Sequence, residues 1–152
     1  MIKVMFVCLG NICRSPMAEF VLKDMVDKLG IADKFVIASS ATSYEEIGNP
    51  VHPGTRKKLA EYGISTDGKY AAKFTKQDYD KYDYIIAMEA HNVRDILRIV
   101  GNDLDNKVSK LLDFDDGGDI ADPWYTGDFD TTYKDIARGL NAFLAQLNID
   151  KN

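Results

Sequence analysis

Residues 3–16, KVMFVCLGNICRSP, join an apolar run to a short polar stretch that ends on a helix-start signal. The run KVMFVC (3–8) is nearly continuous in apolar character, as expected of a strand covered on both faces in a parallel sheet. Ser15 is a residue type that caps helices, and Pro16 suits a first helical position. Ala18, Val21, Leu22, Met25, Val26 and Leu29 then recur at helical spacing, and Gly30 stands where a helix stop belongs. The segment reads strand, loop, helix, with Cys8 at the strand's carboxyl end.

The same alternation continues along the chain. FVIASS (35–40), YDYIIAM (82–88) and KVSKLL (107–112) read as three further short strands. PGTRKKLAEYG (53–63) starts with Pro and ends with Gly, which predicts a short helix. Val93, Ile96, Leu97 and Val100 form another helical stripe, closed by Gly101. Tyr133, Ile136, Ala137, Leu140, Leu144 and Leu147 form the last, with Asp130 as its N-cap. Strand–helix alternation predicts one α/β domain over 1–152, with a four-stranded parallel open sheet and helices on both faces. Ligands of such sheets bind beyond the carboxyl ends of the strands, where Cys8 lies.

Composition narrows the function. The chain has 152 residues, 45% hydrophobic and 28% charged, which suits one globular domain with a real core. Two cysteines, Cys8 and Cys13, are too few for a disulfide framework and fit a reducing, cytoplasmic compartment. The apolar run near the N-terminus is too short for a secretory signal, and no stretch approaches the roughly 18 apolar residues of a membrane span. A net charge of −5 provides no global basic field for nucleic acid. An anion must therefore be held by a local site. Nothing in the sequence fixes the oligomeric state.

The loop after the first strand has the parts of such a site. The free N–H groups and dipole of a helix start favour an anion. Gly10 and Asn11 most easily take positive φ, which turns the N–H groups of Leu9, Gly10, Asn11, Ile12 and Cys13 inward. Arg14 adds a planar fork of donors matched to two phosphate oxygens. The same field lowers the pKa of a cysteine thiol, so Cys8 is expected to be largely thiolate at neutral pH, with Ser15 donating a hydrogen bond to it. A cradle for a tetrahedral dianion with a nucleophile at its floor is a phosphoryl-transfer site.

VCLGNICRSPMAE (7–19) resembles the signature of the low-molecular-weight protein tyrosine phosphatases. SSATS (39–43), DYIIAM (83–88) and DPWY (122–125) extend the likeness over nearly the whole chain. The resemblance implies Cys8 as nucleophile and Arg14 as the phosphate and transition-state ligand. It makes Asn11 and Ser15 supports of the loop and thiolate, and Asp122 the general acid. Implied substrates are phosphotyrosine-containing proteins, with inorganic phosphate as product and no metal or cofactor. The residues alone offer Asp113, Asp115, Asp116, Asp119 and Asp122 as acids. Asp122 stands first because Pro123 restricts its backbone and so gives it a defined direction. Trp124 and Tyr125 offer flat walls for an aromatic ring, or ordinary packing.

Three positions depart from the family pattern. Where many relatives have a tryptophan after the serine-rich segment, this chain has Glu45, with Tyr44 beside it either lining the cleft or packing. Where they have a histidine before the third strand and an aspartate after it, Lys69 and Glu89 stand, and these two are expected to pair. Cys13 is a small buried side chain or the partner of Cys8 in a reversible, protective disulfide, trapped by peroxide and released by dithiol. An arginine-phosphatase branch tends to have threonine where Ile12 stands, so the apolar residue favours a tyrosine ester. An arsenate reductase would relay its disulfide to cysteines beyond Cys13, and the chain has none. A phosphocysteine carrier of sugar transport would not use the arginine or the acid. A non-catalytic phosphate-binding module would be indifferent to Cys8 and Asp122. His52 and His91 read as surface residues, since their spacing with the cysteines matches no zinc site.

Overall fold

The computed structural model describes residues 1–148. β1 (Ile2–Cys8) runs through the middle of the sheet. It pairs in parallel with β2 (Phe35–Ala41) on one side and β3 (Tyr84–Ala87) on the other. β4 (Val108–Lys110) adds in parallel to β3, which gives the order β2-β1-β3-β4. Cys8 is in register with Ala41, and Val7 with both Ser40 and Ala87.

The apolar run of β1 is explained by burial on two faces. Val4, Phe6 and Cys8 point into a core shared with α1 (Arg14–Lys28) and α6 (Phe129–Gln146). Met5 and Val7 point into a second core, shared with α3 (Lys76–Lys81) and α4 (Ala90–Val100). This odd–even division is the two-residue alternation of a strand, and each side chain so buried contributes about 1.5–3 kcal/mol. α2 (Pro53–Ala60) packs against α1 and α6.

Strand order places the site. α1 follows β1 and returns the chain to β2, while α4 follows β3 and returns it to β4. The two connections diverge from neighbouring strands, and the crevice between them is the switch point where open α/β sheets bind ligands. No helix among the described residues is long and apolar enough to cross a membrane.

Several expected boundaries move. α1 begins at Arg14 with Cys13 in the capping position and no side-chain cap. Ser15 does not cap it because its hydroxyl is committed to Cys8 and Asn11. α6 is capped by Asp128, which accepts from Thr131 N, and Asp130 instead pairs with Lys58. The fourth strand stops at Lys110, and Leu111–Phe114 form a 3-10 turn. A strand would send Leu111 and Leu112 to opposite faces, whereas both belong to the core beneath α6. Gly139 of α6 admits Leu111, whose Cγ would lie 2.6 Å from a Cβ there. Two helices lie outside the elements expected from sequence: α3, whose capping box is formed by Thr75 and Asp78, and the short α5 (Pro123–Thr126).

Candidate active site

The loop between β1 and α1 curls over the Cys8 sulfur. Asn11 takes φ +57° and its amide donates to Sγ at 3.3 Å. Gly10 was expected to share the left-handed conformation and does not. Its value is clearance, since a Cβ there would lie 3.3 Å from Glu46 Cγ. The carbonyls of the loop are used outside the cup. Cys8 O accepts from Thr42 N and Leu9 O from Ser43 N, both at 3.0 Å, and Ile12 O accepts from His52 N at 2.8 Å. Cys13 O accepts from Thr55 Oγ1 at 3.3 Å. With these carbonyls engaged outside the cup, the loop is arranged as in a nest for an anion, and the Asn11 amide is the one seen to point at the sulfur.

The sulfur also meets Ser15 Oγ at 3.0 Å, and the bonds behind that contact settle which atom donates. Glu19 is buried on α1 between Lys23 Nζ at 2.6 Å and Lys69 Nζ at 3.2 Å. A carboxylate so paired only accepts. Ser39 Oγ, 2.5 Å from Glu19 Oε1, therefore gives it its one proton. Ser39 Oγ then accepts from Asn11 Nδ2 at 2.9 Å, while Ala72 N donates to Asn11 Oδ1 at 3.1 Å and fixes the amide's orientation. The second Nδ2 hydrogen goes to Ser15 Oγ at 2.8 Å. Ser15 is left with its proton for Cys8. The chain of donors thus runs from Ser15 toward sulfur, with all its members buried.

Arg14, 2% exposed, reaches across the crevice to the end of β3. Its Nη1 donates to Glu89 Oε2 at 2.8 Å and to Ile120 O at 2.9 Å, and its Nη2 meets Asp122 Oδ2 at 3.4 Å. Burial works against the guanidinium's charge. The negative charges of Cys8 and Asp122 and the bond to Glu89 outweigh it, so its pKa lies above the ordinary value. The expected Lys69–Glu89 pair is absent. Glu89 is taken by Arg14, and Lys69 lies beneath the loop on Glu19 and on Ser39 O at 2.8 Å. The physical reason is that the two residues belong to opposite sides of β1.

Cys8 and Cys13 are both free and buried, but their settings differ. Burial first, then the charges of Cys8 and Asp122, push the Cys13 thiol up to about 12. Cys13 therefore stays protonated at neutral pH. The folded state holds this proton more tightly than an unfolded chain, whose thiol titrates near 9.0. The stability linked to it is complete below about pH 9 and is lost as pH rises toward 12. Thermal melts from pH 8 to 11 should fall more steeply for the wild type than for Cys13→Ala, and parallel curves would contradict the assignment.

Above the loop, Asp122, Trp124 and Tyr125 form one wall of the cleft and Glu45 and Glu46 the other. Asp122 caps α5, with Oδ1 accepting from Trp124 N at 3.0 Å, while Oδ2 faces Arg14. Pro123 opens that turn, so the acid is aimed by its own cap. Leu9, Gly10, Ile12 and Cys13 line the floor with Cys8 and Arg14. Tyr44 is not in the lining; it is 76% exposed, and Lys73 Nζ sits 4.7 Å from its ring centroid. His52 is not the bare surface residue expected. Its Nδ1 caps α2 through Gly54 N, and its ring stacks on Phe129 and meets Trp124 edge-on, so it supports the wall. Asp115 and Asp116 are tied to Arg138, and Asp113 and Asp119 to Lys110, so that of these five aspartates Asp122 is the one that lines the cleft.

Glu19, Ser39 and Glu89 were not recognised as parts of the site. Glu19 carried a readable signal: with Ser15, Leu22 and Val26 it lies on the buried face of α1, an unusual place for a lone carboxylate. The supports from Ser39 and Glu89 depend on strand register and on the switch point, which local sequence does not show.

The family model for low molecular weight phosphotyrosine protein phosphatases matches residues 3–152. The chain is 42% identical to the low molecular weight protein-tyrosine-phosphatase YfkJ of Bacillus subtilis, covering 99% of each. It is 39% identical to the low molecular weight phosphotyrosine protein phosphatase of Sus scrofa, over 95% of this chain and 94% of that one. The crystal structure of YfkJ superposes with a TM-score of 0.92 over 100% of this chain and 98% of that one, at 41% identity. That of SP-PTP from Streptococcus pyogenes gives 0.88 at 42% identity, over 97% and 93%. With a four-stranded parallel sheet in the same arrangement and a match over essentially its full length, the chain belongs to the low-molecular-weight protein tyrosine phosphatases, a family of phosphoric monoester hydrolases.

Proposed function

We propose that the protein hydrolyses phosphotyrosine monoesters in proteins through a cysteinyl-phosphate intermediate. The observation that carries this reading is the single cleft whose floor is Cys8 and Arg14 and whose wall is Asp122. The phosphoryl group is held by the amides of the loop from Leu9 to Cys13 and by Arg14, with Asn11 and Ser15 keeping loop and sulfur in place. The Cys8 thiolate attacks phosphorus as the bond from phosphorus to the aryl oxygen breaks. Asp122, protonated, gives its proton to that oxygen, and tyrosine leaves. Water then attacks phosphorus, Asp122 takes the water's proton, the P–S bond breaks, and inorganic phosphate departs with the thiolate restored. Trp124 and Tyr125 flank the phenyl ring. The loop donors and Arg14 offset the phosphoryl charge in a preorganised setting, which leaves no step for a metal. Two reduced thiols in so small a site suit the cytoplasm.

The test compares phosphotyrosine, phosphoserine and phosphoarginine peptides on the wild type and Asp122→Ala. Turnover of phosphotyrosine should dominate. Asp122→Ala should lower kcat by about 10²–10⁴-fold, the usual range for a lost general acid. Its kcat should also lose the alkaline limb of the wild-type pH profile. Preferential turnover of phosphoarginine would assign the protein to the arginine-directed alternative, and no turnover of any ester would leave a phosphate-binding module.

A further inference from the structure

The acidic wall of the cleft has no role in the chemistry above, and it is built to stay in place. The segment after β2 is bonded to the phosphate loop through Thr42 N and Ser43 N. Further along, Gly48 N donates to Ala71 O at 2.9 Å and Ala71 N to Asn49 O at 2.8 Å. Between these ties, Glu46 lies over Gly10, and its Oε2 accepts from Asn49 Nδ2 at 2.6 Å. Glu45 is exposed beside it, its amide turned onto Ser43 Oγ at 3.1 Å. Both line the cleft. Among the described residues neither carboxylate is in a salt bridge. Arg14 is the one cation in the lining, and it is already engaged by Glu89 and Asp122. The mouth therefore carries uncompensated negative charge outside a floor that accepts a dianion.

We propose that Glu45 and Glu46 form an acidic lip that selects phosphotyrosine segments flanked by Lys or Arg and rejects those flanked by Asp or Glu. The inference rests on the phosphotyrosine reading and adds the class of sequence around the target. The phosphoryl group itself is shielded from the lip by the loop amides and Arg14. The residues next to phosphotyrosine pass between the lip and the Trp124–Tyr125 wall, where a basic side chain gains and an acidic one loses. One such contact near the surface is worth about a fivefold change in relative rate.

The experiment measures kcat/KM for matched phosphotyrosine peptides carrying Lys or Glu on both sides, at low and high salt. The Lys peptide should be preferred by at least about fivefold at low ionic strength, the ratio falling toward one as added salt shortens the Debye length below about 5 Å. Within the double variant Glu45→Gln/Glu46→Gln the ratio should collapse, and in Glu45→Lys/Glu46→Lys it should invert. A wild-type ratio near one, or a ratio unchanged in both variants, overturns the lip. Dissociation constants of the same peptides on Cys8→Ser read the same ranking without turnover, so a failure of catalysis and a failure of selection give different results.

Discussion

Cys8→Ser is expected to bind phosphotyrosine peptides and to turn them over at least about a thousandfold more slowly than the wild type. In the proposed mechanism the sulfur is the nucleophile, and hydrogen-bond donors and a guanidinium gather around it. Asn11 N points at it from 3.3 Å, Ser15 Oγ lies 3.0 Å away with its proton aimed inward, and Arg14 supplies nearby positive charge. A serine hydroxyl in the same place keeps the hydrogen bonds but is far harder to ionise, and no base stands beside it to take its proton. The loop carbonyls remain bonded to Thr42, Ser43 and His52, so the cradle stays open for phosphate. The expected result is a kcat near background with a dissociation constant close to the wild-type value. Wild-type turnover in this variant would remove sulfur from the mechanism.

Arg14→Lys is expected to lower kcat/KM by about 10²–10³-fold, the scale of losing a preorganised charge-stabilising donor. A guanidinium spans Glu89, Ile120 O and Asp122 at once, whereas an ammonium is a single point of charge. Lysine retains the charge, so the loss measures geometry, and it should fall more on kcat than on KM because the fork matches the transition state. A variant that lost only affinity, with kcat intact, would reduce Arg14 to a binding group. Glu89→Gln should show a smaller loss in the same direction, since it weakens the aim of the guanidinium without removing it.

These expectations draw unequally on sequence and structure. That Cys8, Arg14 and Asp122 share one cleft was legible because each sits in a local signal: a strand end, a helix start, an aspartate before proline. The first three strands were legible as nearly continuous apolar runs, whereas the short, part-buried fourth was legible only in its place along the chain. What lies around the site was less so. Ser15 read both as a helix cap and as a donor to Cys8, and only the fold shows that the bonds to sulfur and Asn11 exclude the cap. Lys69 and Glu89 looked like partners because both departed from the family pattern, yet each answers to a different neighbour, Glu19 and Arg14. Tyr44 and Glu45 adjoin in sequence, but only Glu45 lines the cleft, since the Tyr44 ring lies out in solvent against Lys73. Pairings set by register and topology are not written in any single segment.

If phosphate passes through Cys8, rapid quenching during turnover captures it there. Wild-type protein mixed with phosphotyrosine labelled at phosphorus, stopped during turnover and mapped by peptide, should carry label on Cys8 that appears together with released tyrosine. The same mixture with Cys8→Ser should carry none. Turnover with no covalent phosphate, or with label on any other residue, would contradict the account.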